Sequence, residues 1–354
     1  MKIMLTLYDY KRIMMTENEN KRTEQGTIGM KFSYAGRFNS FVFKNATVYD
    51  AIDSYRKMNG ITHLEFNYPE HIDGYDLNEI IRRKGDLKVN GLAVRWRGTD
   101  FKSGDFTNDH AEIREKAIRM SKDAVDVCRK LDGSVVTLWL ENDGFDYPFQ
   151  MNYESEWKRI VEAVREVADY AAGTDGKKMI RISIEYKPFE ERNFAMIDST
   201  GMTLYLISEV ARPNVGCTLD FCHMLMKHDN PSYGLALAAD KGVLYGLHMN
   251  DGYGWQDSGM IFGSVNPVLA MEFVYYLRLY HYDGVVFFDT FPIRENPFEE
   301  TQANIDAFET INRKIDEIGM ERIAEVIARK DGVASSSLMM DMLGTVPQAR
   351  AMIS

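Results

Sequence analysis

The chain has too little cysteine for a disulfide framework. Its three cysteines in 354 residues, Cys128, Cys217 and Cys222, are odd in number and have no metal-ligand spacing. They read as small buried residues with reduced thiols, which fits a cytoplasmic protein. Also missing is any apolar run near the ~18 residues that a membrane span needs. The first 25 residues carry one short apolar patch, residues 3–8, followed by a polar stretch of Glu, Asn, Lys and Arg. The apolar region and the small-residue cleavage site of a signal peptide are both absent there. Residues 1–27 are therefore expected to form an arm that packs on the outside or against a partner. Positive charge is in deficit too. A net charge of -11 and a pI near 5.2 argue against a nucleic-acid groove, whose phosphates need cationic partners. They leave small uncharged sugars open. No Pro/Ser/Gly linker or low-complexity block divides the chain.

What is present is an alternation of short apolar runs and segments of helical period. The runs at residues 28–34, 61–68, 89–96, 134–140, 179–185, 215–220, 243–248 and 285–289 read as strands. Between them, Val48, Ile52 and Tyr55 share one helix face, as do Ile160, Val161, Val164 and Val167, and then Leu269, Phe273, Tyr276 and Leu277. Residues 297–318 read as the last of these helices. Repeated strand–helix units imply a parallel sheet with right-handed crossovers. The expectation is an α/β protein with a single (β/α)8 TIM barrel over residues 28–318. Residues 319–354 follow as a helical tail rich in methionine (Met339, Met340, Met342, Met352). Such tails pack on neighbouring surfaces, which leaves room for a second subunit, identical or different.

Four successive strand candidates end on a metal-type ligand: Glu185, Asp220, His248 and Asp289. A carboxylate at the end of a buried strand is costly unless a cation meets it. In a closed barrel the strand C-termini converge on one mouth, so the four would share a site. Three carboxylates and an imidazole suit one divalent ion, with Mn2+ expected first and Mg2+, Co2+ or Zn2+ also compatible. Lys187 points the same way as Glu185, because strand side chains have a period of two. It can polarise a substrate oxygen. His223, three residues after Asp220, sits on the first turn beyond its strand, near enough to touch substrate or tune a ligand. Asp251 and Asp257 lie in a Gly-rich aromatic loop with Trp255; each acid would line the pocket, bind a second ion, or simply hold a turn. Trp255 offers a face to a sugar or aromatic ring. Asn142 and Asp143 can hydrogen-bond hydroxyls, and Glu65, Asn67, Arg95 and Trp96 can reach the same mouth.

These residues resemble the xylose isomerase-like superfamily of TIM barrels. Thr137-Leu-Trp-Leu-Glu-Asn-Asp-Gly-Phe-Asp-Tyr-Pro-Phe-Gln150 resembles the Trp-Leu-Ala-Asp-Gly-x-Asn-Tyr-Pro-Gly-Gln stretch of L-rhamnose isomerases. Ile184-Glu-Tyr-Lys187-Pro188 is similar to their Glu-Tyr-Lys and to the Glu-Pro-Lys-Pro of xylose isomerases, and Asp220-Phe-Cys-His223-Met224 to the Asp-Thr-Phe-His-Met of D-tagatose 3-epimerase-like enzymes. The resemblance implies a metal held by Glu185, Asp220, His248 and Asp289, a polarising Lys187 and a substrate-contacting His223. Glu185, Lys187, His223 and Asp289 would be the catalytic set. Two departures stand out. Isomerases carry an Asp-x-Asp pair after the seventh strand for a second metal, where this chain has Asp257-Ser258-Gly259; the second Glu of the 3-epimerases is here the shorter Asp289.

The chemistry implied is removal of a proton next to a sugar carbonyl. Two outcomes stay open: β-elimination from a 3-oxo-C-glucoside, as in the large subunit of bacterial C-glycoside deglycosidases, which pairs with a small β-sandwich subunit, and isomerisation or 3-epimerisation of a ketose. The same barrel also carries endonucleases for abasic sites, but these use more histidines and face a polyanion. A scaffold protein would have no need of Lys187 and His223 beside four ligands.

Overall fold

The computed structural model describes residues 30–174 and 176–344. The expected N-terminal arm (residues 1–27) and Met352 lie outside the described residues. Eight parallel strands form one sheet: β1 Ser33–Gly36, β2 His63–Tyr68, β3 Lys88–Val94, β4 Val135–Trp139, β5 Arg181–Glu185, β6 Val215–Asp220, β7 Leu244–Met249 and β8 Val285–Phe288. They pair in the order β1-β8-β7-β6-β5-β4-β3-β2. Isolated parallel bridges Tyr34–Ile61 and Arg37–Glu65 join β1 to the β2 side. The sheet therefore curls into a nearly closed (β/α)8 barrel.

β6 and β8 are buried along their whole length. Both faces of such strands are covered, which is why they read as continuous apolar runs. The first strand departs from expectation. Residues 28 and 29 of the expected run lie outside the described residues; among those described, the strand covers 33 to 36, where the chain pairs with β8, and Ala35 packs against Val285 and Phe287. The helices form as their periodicity dictates. Thr47 and Asp50 make a reciprocal capping box at the start of Val48–Tyr55. Tyr153–Ala172 buries Ile160, Val161, Val164 and Val167. In Pro267–Leu279, Phe273, Val274, Tyr275 and Leu277 are the buried stripe, while Leu269 and Tyr276 are only half-buried. After Pro297–Ile318 come two more helices, Met320–Arg329 and Gly332–Met342, which bury Ile323, Leu338 and Met342 and leave Met339 and Met340 exposed. No helix among the described residues is long and apolar enough to cross a membrane. A two-strand antiparallel ribbon, Gly144–Phe145 with Phe194–Ala195, ties the loops after β4 and β5; the sequence pattern did not signal it.

The period of two builds the barrel interior in layers. One layer holds Ser183 and Thr218, whose hydroxyls lie 2.7 Å apart, with Thr137 3.5 Å from Thr218. Gly246 adjoins it; a Cβ there would come within 2.5 Å of Thr218 Oγ1. Two residues further along these strands come Trp139, Glu185, Asp220 and His248. The same step from Ala35, Ala93 and Phe287 gives Arg37, Arg95 and Asp289. One layer thus carries the site.

Candidate metal centre

Glu185, Asp220, His248 and Asp289 each bring a ligand atom to one spot, all within 4.8 Å of one another, and all four residues are buried. Neighbours fix them. His248 Nδ1 is 3.0 Å from Glu185 Oε1, and its Nε2 is 3.2 Å from Glu65 Oε1. Asp220 Oδ1 accepts from His223 N at 2.9 Å, capping the helix Phe221–Met226, and its Oδ2 accepts from Asn250 Nδ2 at 3.1 Å. Arg37 Nε meets Asp289 Oδ1 at 2.7 Å. Glu185 Oε2 is buried without a hydrogen-bond partner. An orphaned carboxylate oxygen beside three further donors is the pattern that a divalent cation resolves.

The electrostatics agree. Burial lifts the Asp220 carboxyl to about 7; His223 opposes that shift, while Asp257, Glu185 and Asp289 add to it. Burial would also raise Glu185, but the His248 imidazole outweighs it and holds Glu185 down at about 2. His223 is pushed down by burial and pulled up by Asp220 and Asp257, and the acids win, lifting it to about 9. The cluster concentrates negative charge that the surrounding cations only partly answer.

Above the ligands lies a cavity of about 200 Å3. Lys187 lines it, 8% exposed, with Nζ 2.8 Å from Glu190 and 3.1 Å from Asp257. Burial disfavours the ammonium, but these carboxylates overcome that and hold Lys187 above its ordinary value. His223 Nδ1 lies 2.8 Å from the Tyr186 carbonyl, which fixes that nitrogen as a donor, and Nε2 is 3.3 Å from Asp257 Oδ2. Lys187, His223 and Asp257 thus form a connected set beside the four ligands.

The other expected residues divide. Asp257 faces the cavity; Asp251 does not. It is fully buried, accepting from the backbones of Gly252, Val265 and Asn266 and from Asn266 Nδ2, so it holds the loop. Asp143 is corrected likewise. It accepts from the backbone N–H groups of Asp105, Phe106 and Thr107 and from the Thr107 hydroxyl. Asn142 is bound to Asp105 and Trp255 is 71% exposed; neither lines the cavity. Asp143→Ala should therefore act on stability. Three backbone donors lose their acceptor, each worth about 1 kcal/mol, so a loss of roughly 3 kcal/mol is expected in urea unfolding. Unchanged stability would contradict the anchoring role.

Sequence reasoning missed Arg37, Trp139 and Glu190, which also line the cavity. Arg37 follows Ala35 by the inward step of two and was lost because the first strand had been placed too early. Of the looser candidates, Glu65 and Asn67 line a small recess that shares Arg37, Arg95 and Asp289 with the cavity, and Trp96 points away, its indole N–H donating to the Ala117 carbonyl.

The sequence profile described as "Xylose isomerase-like TIM barrel" matches residues 55–324. A xylose isomerase from Thermus thermophilus is 28% identical over 241 residues, which is 66% of this chain and 62% of that enzyme's length. The solved structure of the IOLI protein with a bound zinc atom superposes with a TM-score of 0.61 at 16% identity, covering 80% of this chain and 99% of that one. A structure of L-ribulose 3-epimerase gives 0.62 at 16% identity, covering 81% and 97%. The two structural likenesses speak to the fold.

Proposed function

The chain belongs to the xylose isomerase-like TIM barrel family, and from that premise we propose that it is a divalent-metal-dependent enzyme that moves a proton next to a sugar carbonyl, isomerising or epimerising the sugar. The observation that carries this reading is the convergence of Glu185, Asp220, His248 and Asp289 on one spot, with Lys187 and His223 beside it. The four would hold the ion, Mn2+ being the expected one. An ion there supplies Lewis acidity, which makes the C–H beside a carbonyl easier to ionise.

The chain's own groups do the rest. Lys187, kept charged by Asp257 and Glu190, donates to a substrate oxygen where negative charge develops. His223, its Nδ1 committed to the Tyr186 carbonyl, presents Nε2 toward Asp257 and the cavity as a second donor. Glu185 and Asp289, from β5 and the end of β8, are the two carboxylates placed to take the proton and return it. Return to the same carbon on the opposite face gives an epimer; return to the neighbouring carbon gives the aldose–ketose pair. Gly259 stands where a second aspartate would support a second ion, which favours proton transfer at a single-ion site.

The test is turnover of a ketose panel by Mn2+-loaded protein in deuterated water. Product carrying solvent deuterium beside the carbonyl is expected. Interconversion without label would sink the proton-transfer mechanism, and the absence of any turnover would sink the reading. One observation favours a second outcome of the same chemistry. Tyr253 and Trp255, 63% and 71% exposed with rings 5.8 Å apart, offer an apolar surface two residues from Asp257. An aromatic aglycone would fit such a surface in β-elimination from a 3-oxo-C-glucoside. Release of the aglycone, alone or with a small partner subunit, would establish that outcome.

A further inference from the structure

The Arg and Lys side chains that line the cavity are Arg37, Arg95, Arg97 and Lys187. Three have carboxylates. Arg37 pairs with Asp289 at 2.7 Å, Arg97 with Glu141 at 2.9 Å and Glu70 at 3.2 Å, and Lys187 with Glu190 and Asp257. Arg95 differs. It is only 9% exposed, yet its guanidinium makes no hydrogen bond or ion pair among the described residues, and its Nη1 is buried without a partner. Its charge is felt by Glu185, Glu141 and Glu70, but none of these comes within ion-pair distance. What holds it is the Trp139 ring, whose centroid lies 5.1 Å from the guanidinium carbon; the same ring lies 5.0 Å from Lys187 Nζ. Arg95 directly follows β3, two residues after Ala93, and lines the cavity together with Glu185 and Asp289. A buried guanidinium that lies over an aromatic ring and is left without an acceptor is arranged to receive one.

We propose that Arg95 receives an oxyanion carried by the substrate, a carboxylate or a phosphate, so that the sugar turned over is an acid or a phosphate ester rather than a neutral sugar. This deepens the isomerase and epimerase reading and rests on it for the word substrate, though the anion subsite itself rests on Arg95 and Trp139. A planar guanidinium pairs with either group through two parallel N–H donors, and the ligand would supply the direct acceptor that Arg95 lacks among the described residues. Trp139 positions both cations, so the anion and the reacting carbonyl would be fixed by one indole.

The test uses Mn2+-loaded protein and three matched probes, fructose, fructuronate and fructose 6-phosphate, titrated calorimetrically. One of the two anions should bind at least about tenfold more tightly than fructose, the increment of a charge-assisted hydrogen bond. The member that binds tells carboxylate from phosphate. Arg95→Met should abolish that preference, and Arg95→Lys should keep part of it, having the charge without the fork. In a turnover assay the lost preference should fall on KM rather than kcat. Equal binding of all three probes, binding of none, or a preference that survives in Arg95→Met would overturn the proposal. If Arg95→Met does not fold, Arg95→Lys decides: a full preference there would argue against a fork. Anion preference without turnover would keep the subsite and sink the isomerase reading; turnover of fructose with no anion preference would do the reverse.

Discussion

Asp220→Asn is expected to leave the barrel folded and to remove both the metal and the activity. Asparagine keeps the oxygen that caps the helix after β6 through the His223 N–H. Its amide nitrogen would face Asn250 Nδ2, a donor against a donor, at a cost of about 1–2 kcal/mol. Against that, the change takes one negative charge out of a cluster where burial and neighbouring carboxylates already push Asp220 up to about 7. The two effects oppose each other, so the melting temperature of the metal-free protein should move by no more than a few degrees. Function should not survive. Lewis-acid stabilisation is worth several kcal/mol and each 1.36 kcal/mol is tenfold in rate, so a loss on the order of 10³-fold is expected. Turnover measured beside metal content decides it. A variant with normal activity and no metal would dismantle the mechanism.

Lys187→Met should separate chemistry from metal binding. Lys187 Nζ touches Asp257 and Glu190 and none of the four ligands, so metal content should stay near that of the parent. The rate should fall by roughly 10²–10³-fold, the cost of one donor aimed at developing charge. Stability should fall as well. Asp257 is buried and would keep only His223, and breaking a buried pair from one side costs about 3–5 kcal/mol. The double variant Lys187→Met with Asp257→Asn should regain much of the stability and none of the activity. Recovery of turnover in the double variant would mean that Lys187 serves only to neutralise Asp257. Lys187→Arg should not substitute, since a planar fork presents its donors in a different geometry from the point charge of an ammonium.

That Glu185, Asp220, His248 and Asp289 meet at one spot was legible in the sequence because strand geometry is local. A buried strand exposes its last inward residue at the mouth, and the apolar runs before Glu185, Asp220, His248 and Asp289 mark where each strand stops. Arg37 was not legible, since Ser33–Gly36 has no apolar run and is a strand only through its pairing with β8. Asp143 was misread, and Asp251 left open between pocket, second ion and turn, for a related reason. Both sit beside glycine in polar loops, as pocket residues also do. What settles their place is a set of backbone donors elsewhere in the chain, 36 to 38 residues away for Asp143 and 14 to 15 for Asp251. Asp257 looked the same in sequence and went the other way, because Lys187 and His223 pair with it at the cavity wall. Arg95 was visible as a mouth residue, but its lack of an acidic partner appears only when the ion pairs of its neighbours are laid out.

The measurement that tests the central claim most directly is equilibrium binding of Mn2+ to the purified, metal-stripped protein, beside Asp220→Asn and Asp289→Asn. The account predicts one tight site per chain in the parent, sharply weakened in both variants and accompanied by restored turnover only in the parent. No Mn2+, Co2+ or Zn2+ bound by the parent, or binding indifferent to both substitutions, would contradict it.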